Sequence, residues 1–180
     1  MRWEGLFADL EGQLAAEGRR ELDSEVAERT RRERALVDLT SRLAAGVGSR
    51  VDVLLASGRH LDGRLVDVGD GWVLVAAPPR ESLVPLPAVV AVSGLPAAGE
   101  PARSSRRFGL GYALRELARD RATVALELVA GPVVTGTVDV VGADHLVLAE
   151  HPDGEPRRRE NVRRLLTVPT AALRCVESRR

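Results

Sequence analysis

Five arginines near the C-terminal end of the chain are the strongest candidates for chemistry in this sequence. They are Arg157, Arg158, Arg159, Arg163 and Arg164. Guanidinium groups pair well with phosphate oxygens, so the cluster favours contact with a polyanion, and such binding weakens steeply as salt rises. Acidic residues are interleaved among them: Glu150, Asp153, Glu155 and Glu160. The alternative is therefore a solvated hairpin whose charges are neutralised within the chain.

The other reactive side chains favour structural roles. His60, His145 and His151 have no partner at a metal-ligand spacing, so no metal site is predicted. Cys175 alternates with apolar neighbours, which favours a core position over a nucleophile. The stretch "GLGYALRE" lacks the preceding strand of a dinucleotide fingerprint and is typical of a helix start. We therefore expect no enzyme activity, no cofactor and no small-molecule substrate.

Composition sets wider limits. A chain of 180 residues with 44% hydrophobic content can bury a substantial core. Its net charge is zero, and all 26 basic residues are arginine, so arginine abundance alone does not indicate phosphate binding. A lone cysteine forms no internal disulfide, and neither a signal peptide nor a membrane span is evident, which predicts a cytoplasmic protein without membrane contact.

Helical spacing dominates the first 45 residues. The apolar residues of the first stretch fall three and four apart, on one face of an amphipathic helix: Trp3, Leu6, Phe7, Leu10 and Leu14. This face either packs within its own domain or docks a protein partner. A second helix is predicted from about Leu22 to Ala45.

From Val51 the apolar period changes to two, and five short Val- and Leu-rich strands alternate with Gly and Pro turns, which predicts a small barrel. Residues 96–107 mix Pro, Gly, Ser and charge, which is typical of a linker. A helix and five further strands follow. The predicted organisation is 1–45 N-terminal helices, 46–95 first barrel, 96–107 linker, and 108–178 helix and second barrel.

The two strand regions share spaced glycines, which predicts an internal duplication. Gly58, Gly63 and Gly69 precede Gly131, Gly136 and Gly142 by a constant 73 residues. Val84, Pro85 and Val92 precede Val168, Pro169 and Val176 by 84. The 11 extra residues are expected around "HPDGEPRRREN", between the third and fourth strands of the second copy. Glycines at these places relieve steric conflict in turns and where strands bend closely past one another.

A helix followed by "LASG", "LDG", "LVDVG" and "WVLV" resembles the first motif of the Sm-like proteins, the LSm and Hfq group. The resemblance covers about residues 30–178 and implies RNA-associated function and ring assembly through edge strands. The acid that usually follows the second strand of that family is replaced by Gly69 and Gly142, with Asp70 or Asp144 as a shifted acid. Its Arg-Gly pair is matched by Pro85-Leu86 and Pro169-Thr170, so the family's nucleotide site is not carried over.

The opening "MRWEGLFADLE" with tandem halves is also similar to a group of short actinobacterial proteins, some labelled Fis-type transcriptional regulators. The C-terminal half is predicted as strands, without the helix-turn-helix that this label implies. The sequence thus predicts a mainly β fold with an N-terminal helical arm and two duplicated helix-plus-five-strand Sm-like barrels. The predicted function is a non-enzymatic adaptor or scaffold that binds protein partners or self-associates. The alternative is an Hfq-like RNA-binding regulator.

Overall fold

The computed structural model describes residues 25–26, 28–32, 35–96 and 106–179. The chain divides into two compact units, Met1–Asp38 and Leu39–Arg180. The predicted docking residues lie outside the described residues, and their role stays a prediction: Trp3, Leu6, Phe7, Leu10 and Leu14. In the first unit, the described helical residues are 25–26, 28–32 and 35.

The predicted continuous helix from Leu22 to Ala45 is wrong in its second part, because residues 36–38 are not helical. A separate helix, α1, spans Leu39–Ala45. Val37 is β-branched and loses side-chain freedom in a helix, and Asp38 is a residue type that is favoured immediately before a helix rather than inside one. The break separates α1 from the preceding helical residues and leaves it as the element that leads into the first strand.

Strands dominate the second unit, as the alternating pattern predicts. The first half-sheet contains β1 (Arg50–Leu55), β2 (His60–Asp70), β3 (Trp72–Ala77), β4 (Arg80–Pro85) and β5 (Val89–Ser93). A short strand β6 (Arg106–Gly109) and helix α2 (Leu110–Arg119) follow. The second half-sheet contains β7 (Thr123–Leu128), β8 (Val134–Val141), β9 (His145–Glu150), β10 (Arg164–Pro169) and β11 (Leu173–Arg179).

The eleven strands of the described residues belong to one sheet, and ten of them follow the order β10-β9-β8-β7-β11-β4-β3-β2-β1-β5. Neighbours along this order are antiparallel, and β6 pairs with β2 in parallel. The mainly β class is confirmed, and the finer prediction of two Sm-like barrels stays a prediction. The described sheet is continuous from one half to the other and does not close, because β10 and β5 stand at its two ends.

Two hydrophobic cores lie within the unit. The first core is built mainly from β1, β2 and β3 with Leu43 of α1. The second core is built from β7, β8 and β9 with Leu114 of α2, which is fully buried. Each short helix therefore contributes one apolar face to the core of the half-sheet that follows it in sequence.

The glycines at the 73-residue offset make equivalent backbone contacts. A Cβ at Gly63 would lie 2.5 Å from the carbonyl oxygen of Ala76, and one at Gly136 would lie 2.1 Å from that of Ala149. Both distances are far below van der Waals contact, so only glycine lets the neighbouring strand approach this closely. The predicted role in close strand approach is confirmed at these two positions.

The final glycine of each triplet lies beneath an aromatic ring. A Cβ at Gly69 would come within 2.2 Å of the Trp72 indole, and one at Gly142 within 2.5 Å of the His145 imidazole. A ring three residues further along the chain thus covers the bare backbone in both halves. The glycine is needed because the ring occupies the space that a side chain would fill.

The two halves differ most in the connection between their third and fourth strands. β3 and β4 are joined by Pro78 and Pro79, whereas β9 and β10 are joined by residues 151–163. The eleven additional residues therefore lie where the change of offset predicts them. Arg106 and Arg107, predicted in the linker, belong instead to β6. No helix among the described residues is long and apolar enough to cross a membrane.

Candidate functional site

The pairing of β4 with β11 joins the two half-sheets, and we call it the joint. Val176, Glu177 and Ser178 of β11 stand opposite Leu83, Ser82 and Glu81 of β4. The strands come from chain segments almost a hundred residues apart. Each of the two strands covers a sheet edge that would otherwise leave backbone N–H and C=O groups unpaired.

Side chains cross the joint in both directions. Cys175, from the last strand of the second half-sheet, is fully buried in the first core. Trp72 and Leu83, from the first half-sheet, are buried in the second core. Successive residues of a strand face opposite sides of a sheet, which lets β11 contribute Cys175 to one core and Val176 to the other. Neither core is complete without the opposite half-sheet.

Charged groups hold the joint on the Cys175 side of the sheet. The Glu177 side chain is only 12% exposed and pairs with Arg59, while Arg80 lies 3.3 Å from its second oxygen. Arg59 also reaches Glu127 on β7 at 3.0 Å. Because these carboxylates are largely withdrawn from water, their charge-assisted hydrogen bonds contribute more than exposed ion pairs do. Arg59 therefore ties the β1–β2 turn to two strands of the other half-sheet.

Burial keeps Cys175 unreactive. Desolvation raises the pKa of its thiol to about 11, although the positive charge of Arg59 and a hydrogen bond with Ser82 act in the opposite direction. The thiolate is the reactive form of cysteine, so a buried thiol with a raised pKa is a poor nucleophile at neutral pH. The structure thus places Cys175 in a core, as the alternation in the sequence predicts.

The two ends of the sheet correspond in position to the two strands of the joint. β5 lies 84 residues before β11, and β10 lies 84 residues after β4. Cys175 is fully buried, whereas Ala91 at the equivalent place in β5 is exposed. Leu83 is 3% exposed, whereas its equivalent Thr167 in β10 is exposed. These two positions are covered at the joint and uncovered at the ends of the sheet.

The five candidate arginines divide into two groups. Arg157 makes a two-pronged ion pair with Asp139 of β8, which raises the pKa of its guanidinium, and Arg164 pairs with Glu150. Arg158, Arg159 and Arg163 are exposed, with no ion pair to a described residue. Two of the five arginines are therefore neutralised within the chain, by the carboxylates of Asp139 and Glu150 on the sheet.

Arg157 also borders a polar groove of about 560 Å³. Arg119 and Arg121, from the end of α2 and the residues after it, line the same groove, together with Asp139 and Thr137. Arg157 pairs with Asp139 and Arg119 pairs with Glu116, so Arg121 gives the described part of this groove a net positive charge. Helix α2 was predicted from sequence, but its convergence with Arg157 was not.

The three histidines make local hydrogen bonds. His60 bonds Asp52 and His145 bonds Asp144, where the imidazole lowers the pKa of the Asp144 carboxyl. His151 is buried, with Nδ1 donating to the Pro152 carbonyl and Nε2 2.9 Å from the Thr137 hydroxyl. Within the described residues, no three potential ligands cluster in a way that would hold a metal ion.

Sequence reasoning did not find Arg59, Glu127 or Glu177 as residues of the joint. At the repeat offsets their counterparts are Pro132, Leu54 and Ser93, so no repeated pattern marks them. Each is also an ordinary exposed-strand residue type. Their role depends on a non-local strand pairing that local patterns do not encode.

A scan of the chain against protein-family models gives no match, and no curated protein is significantly similar to it in sequence.

Proposed function

We propose that this chain is a non-enzymatic scaffold that self-associates by pairing β5 of one copy with β10 of the next. The joint carries this proposal, because it is a strand pairing of the required kind within a single chain. β5 and β10 are the end strands of the described sheet and sit at the positions equivalent to the two joint strands. The two end strands could therefore pair with each other as β11 and β4 do.

The joint supplies a register for the contact between copies. Val176 opposite Leu83 becomes Val92 opposite Thr167, and Glu177 opposite Ser82 becomes Ser93 opposite Leu166. Apolar side chains are available near this contact, since Val90 is 63% exposed and Leu165 is 61% exposed. Burying them adds a hydrophobic contribution to the new backbone hydrogen bonds.

A head-to-tail contact of this kind generates a ring if the rotation between copies closes, and a filament if it does not. Each half-sheet follows the same strand order, β5-β1-β2-β3-β4 and β11-β7-β8-β9-β10. The shared bulge positions in β2 and β8, between Leu65 and Asp67 and between Val138 and Val140, support internal duplication. The same order supports the resemblance of each half to an Sm-like unit.

The test is disulfide trapping at the proposed register. In a Cys175→Ala background, Ser93→Cys with Leu166→Cys should produce covalent oligomers after mild oxidation. The matched control keeps Leu166→Cys but places the second cysteine at exposed Ser57, in the β1–β2 turn, and should not crosslink.

Mass measurement in solution completes this test. The unmodified chain should form oligomers, and Ala91→Lys with Leu165→Lys should reduce them to monomers by placing charge on both free edges. A chain that stays monomeric at every concentration, or one whose oligomers tolerate both lysines, would refute assembly through these edges.

An adaptor role for the N-terminal helix is a separate part of the proposal. Changing Trp3, Phe7 and Leu10 to polar residues should weaken capture of a protein partner if their shared face docks it. Unchanged associations in that variant would remove the arm from the proposal without affecting the sheet edges.

The second candidate function is RNA binding, favoured by the cationic groove of Arg119, Arg121 and Arg157 with exposed Arg158 and Arg159 beside it. Binding to a single-stranded RNA should fall steeply with salt and should be lost in Arg158→Glu with Arg159→Glu. The control pair Arg64→Glu with Arg115→Glu changes the net charge equally on exposed residues that do not line this groove. Equal loss in both variants would indicate non-specific attraction instead.

A further inference from the structure

A cavity of about 210 Å³ lies between α2 and the sheet, on the face opposite the Glu177 ion pairs. Its floor is one row of residues that crosses four strands: Asp67, Leu74, Leu83 and Val176. Glu81 and Ser178, also opposite each other, extend the floor. The joint therefore runs through the cavity, and both half-sheets build it.

Aromatic side chains form one wall. Phe108 and Tyr112 stack with ring centroids 4.2 Å apart, and both are nearly half exposed. Trp72 is buried beside them, and its indole N–H donates to the Phe108 carbonyl oxygen at 2.8 Å. A chain with five aromatic residues thus gathers three at one cavity. The Trp72 hydrogen bond joins β3 to β6, the strand that carries Phe108, while Tyr112 lies in the first turn of α2.

The charged residues in the described lining of the cavity are Asp67, Glu81, Glu116 and Asp120, and all four are acidic. Asp67 and Glu81 already have partners within the chain, so Glu116 and Asp120 are the carboxylates that a ligand would meet. Arg119 lies just outside and bonds Glu116 at 3.0 Å, which shows that a guanidinium can reach this rim. Carboxylates next to aromatic faces attract cations through charge and through the ring quadrupole.

Size restricts the ligand further. Pockets for drug-sized ligands occupy roughly 300–1,000 Å³, so a cavity of this volume takes one group of amino-acid side-chain size. A guanidinium is planar, stacks on aromatic rings and is more weakly hydrated than an ammonium group. Its aliphatic stem matches the apolar floor. We propose that this cavity binds an arginine side chain presented by another polypeptide.

This site is independent of the proposed self-association. It lies under α2, on β2, β3, β4 and β11, whereas the free edges are β5 and β10. The loss of one activity therefore leaves the other measurable.

The experiment uses the full chain with Trp3→Phe, which leaves Trp72 as the sole tryptophan and as a reporter inside the cavity. The probe is a capped tripeptide, acetyl-Ala-Arg-Ala-amide. Its comparison is the same peptide with citrulline, which keeps the shape and removes the charge. The arginine peptide should change the Trp72 fluorescence saturably, and the citrulline peptide should not.

Matched variants locate the binding. Glu116→Gln with Asp120→Asn should weaken the association about tenfold, because each lost carboxylate removes a charge-assisted contact. Glu155→Gln with Glu160→Gln makes the same change in net charge in the distant 151–163 connection and should leave it unchanged. Tyr112→Ala, at an exposed position that spares the core, should also weaken binding while the unfolding midpoint stays constant.

Three results would overturn the proposal. Equal binding of the citrulline peptide would show that charge is not recognised. Equal losses in the two double variants would show that net charge alone acts. Tighter binding of agmatine, the free amine with the same guanidinium stem, would assign the cavity to a small molecule instead of a polypeptide.

Discussion

Trp72 and His145 lie over equivalent glycines in the two half-sheets, yet their surroundings differ. Trp72 is 5% exposed because it enters the core of the other half and is covered by β6 and α2. The His145 side chain is 42% exposed and bonds its neighbour Asp144. The backbone geometry at these glycines does not by itself require an aromatic ring at either position. Packing against the opposite half-sheet, and not the local turn, decides whether the ring is a core residue.

The same contrast holds along the strands. β4 and β11 share residues between two cores, while β5 and β10 expose equivalent positions to solvent. The joint strands and the end strands are thus equivalent in the repeat, but their side chains should contribute differently to the free energy of unfolding. Substitutions at paired positions should measure that difference directly.

The largest expected effect is at the ring positions. Trp72→Ala should reduce the free energy of unfolding by about 4 kcal/mol, the cost of removing a large buried aromatic and leaving a cavity. His145→Ala should cost less than about 1 kcal/mol, as substitutions at exposed sites usually do. Chemical denaturation monitored by circular dichroism measures both. Equal losses would mean that the two half-sheets bear equal weight and that the joint is not special.

Glycine substitutions should come next and should be similar in the two halves. Gly63→Ala and Gly136→Ala each force a Cβ against a backbone carbonyl and should cost about 3 kcal/mol. Gly58→Ala is the control, since its Cβ meets no atom within 4 Å and only its φ of +82° is unfavourable. That change should cost about 1 kcal/mol, the penalty for a left-handed residue. A Gly136 variant as stable as the Gly58 variant would contradict the close strand approach.

Glu177→Gln tests the charges at the joint. Removing the carboxylate charge leaves Arg59 and Arg80 with one partner fewer, and it should cost about 1 kcal/mol because both arginine side chains remain partly hydrated. Asp62→Asn, which breaks the exposed pair with Arg50, should leave the unfolding midpoint nearly unchanged. Thermal unfolding of both variants at low and high salt provides the comparison, and similar shifts would place the Glu177 pairs among ordinary surface ion pairs.

The smallest effect at neutral pH is that of the Cys175 thiol. Its pKa is raised from 9.0 to about 11 in the folded chain, so its contribution to stability is fully present below pH 9 and is lost as pH rises towards 11. The free energy of unfolding should therefore decline between pH 9 and pH 11 more steeply in the unmodified chain than in Cys175→Ala. Parallel pH profiles would show that the thiol is not shielded by the joint.

Local patterns predict the parts of this fold that local geometry controls. Spaced glycines such as Gly63 and Gly136 mark strands and turns, because steric limits act within a few residues. The change of repeat offset from 73 to 84 marks the long 151–163 connection. The joint could not be predicted, because no sequence feature of β4 identifies β11 as its neighbour in the sheet. The paired states of Arg157 and Arg164 likewise depend on Asp139 and Glu150, which the fold brings near.

The aromatic cavity was missed for a related reason. Phe108 follows a stretch that composition marks as a linker, and Tyr112 has the spacing of an ordinary helix residue. Only the parallel pairing of β6 with β2 brings both beside Trp72. Function at a surface assembled from distant segments is therefore the least predictable part of this sequence.

The crossing of Cys175 into the first core has a consequence for synthesis on the ribosome. The first half-sheet emerges long before β11 is translated, so it must wait with an uncovered β4 edge and an incomplete core. Nascent segments in that condition expose apolar surface and are prone to misassembly or to chaperone capture. We therefore expect native packing of residues 50–93 to be completed only after β11 has emerged from the ribosome, so that translation order becomes part of how this chain reaches its fold.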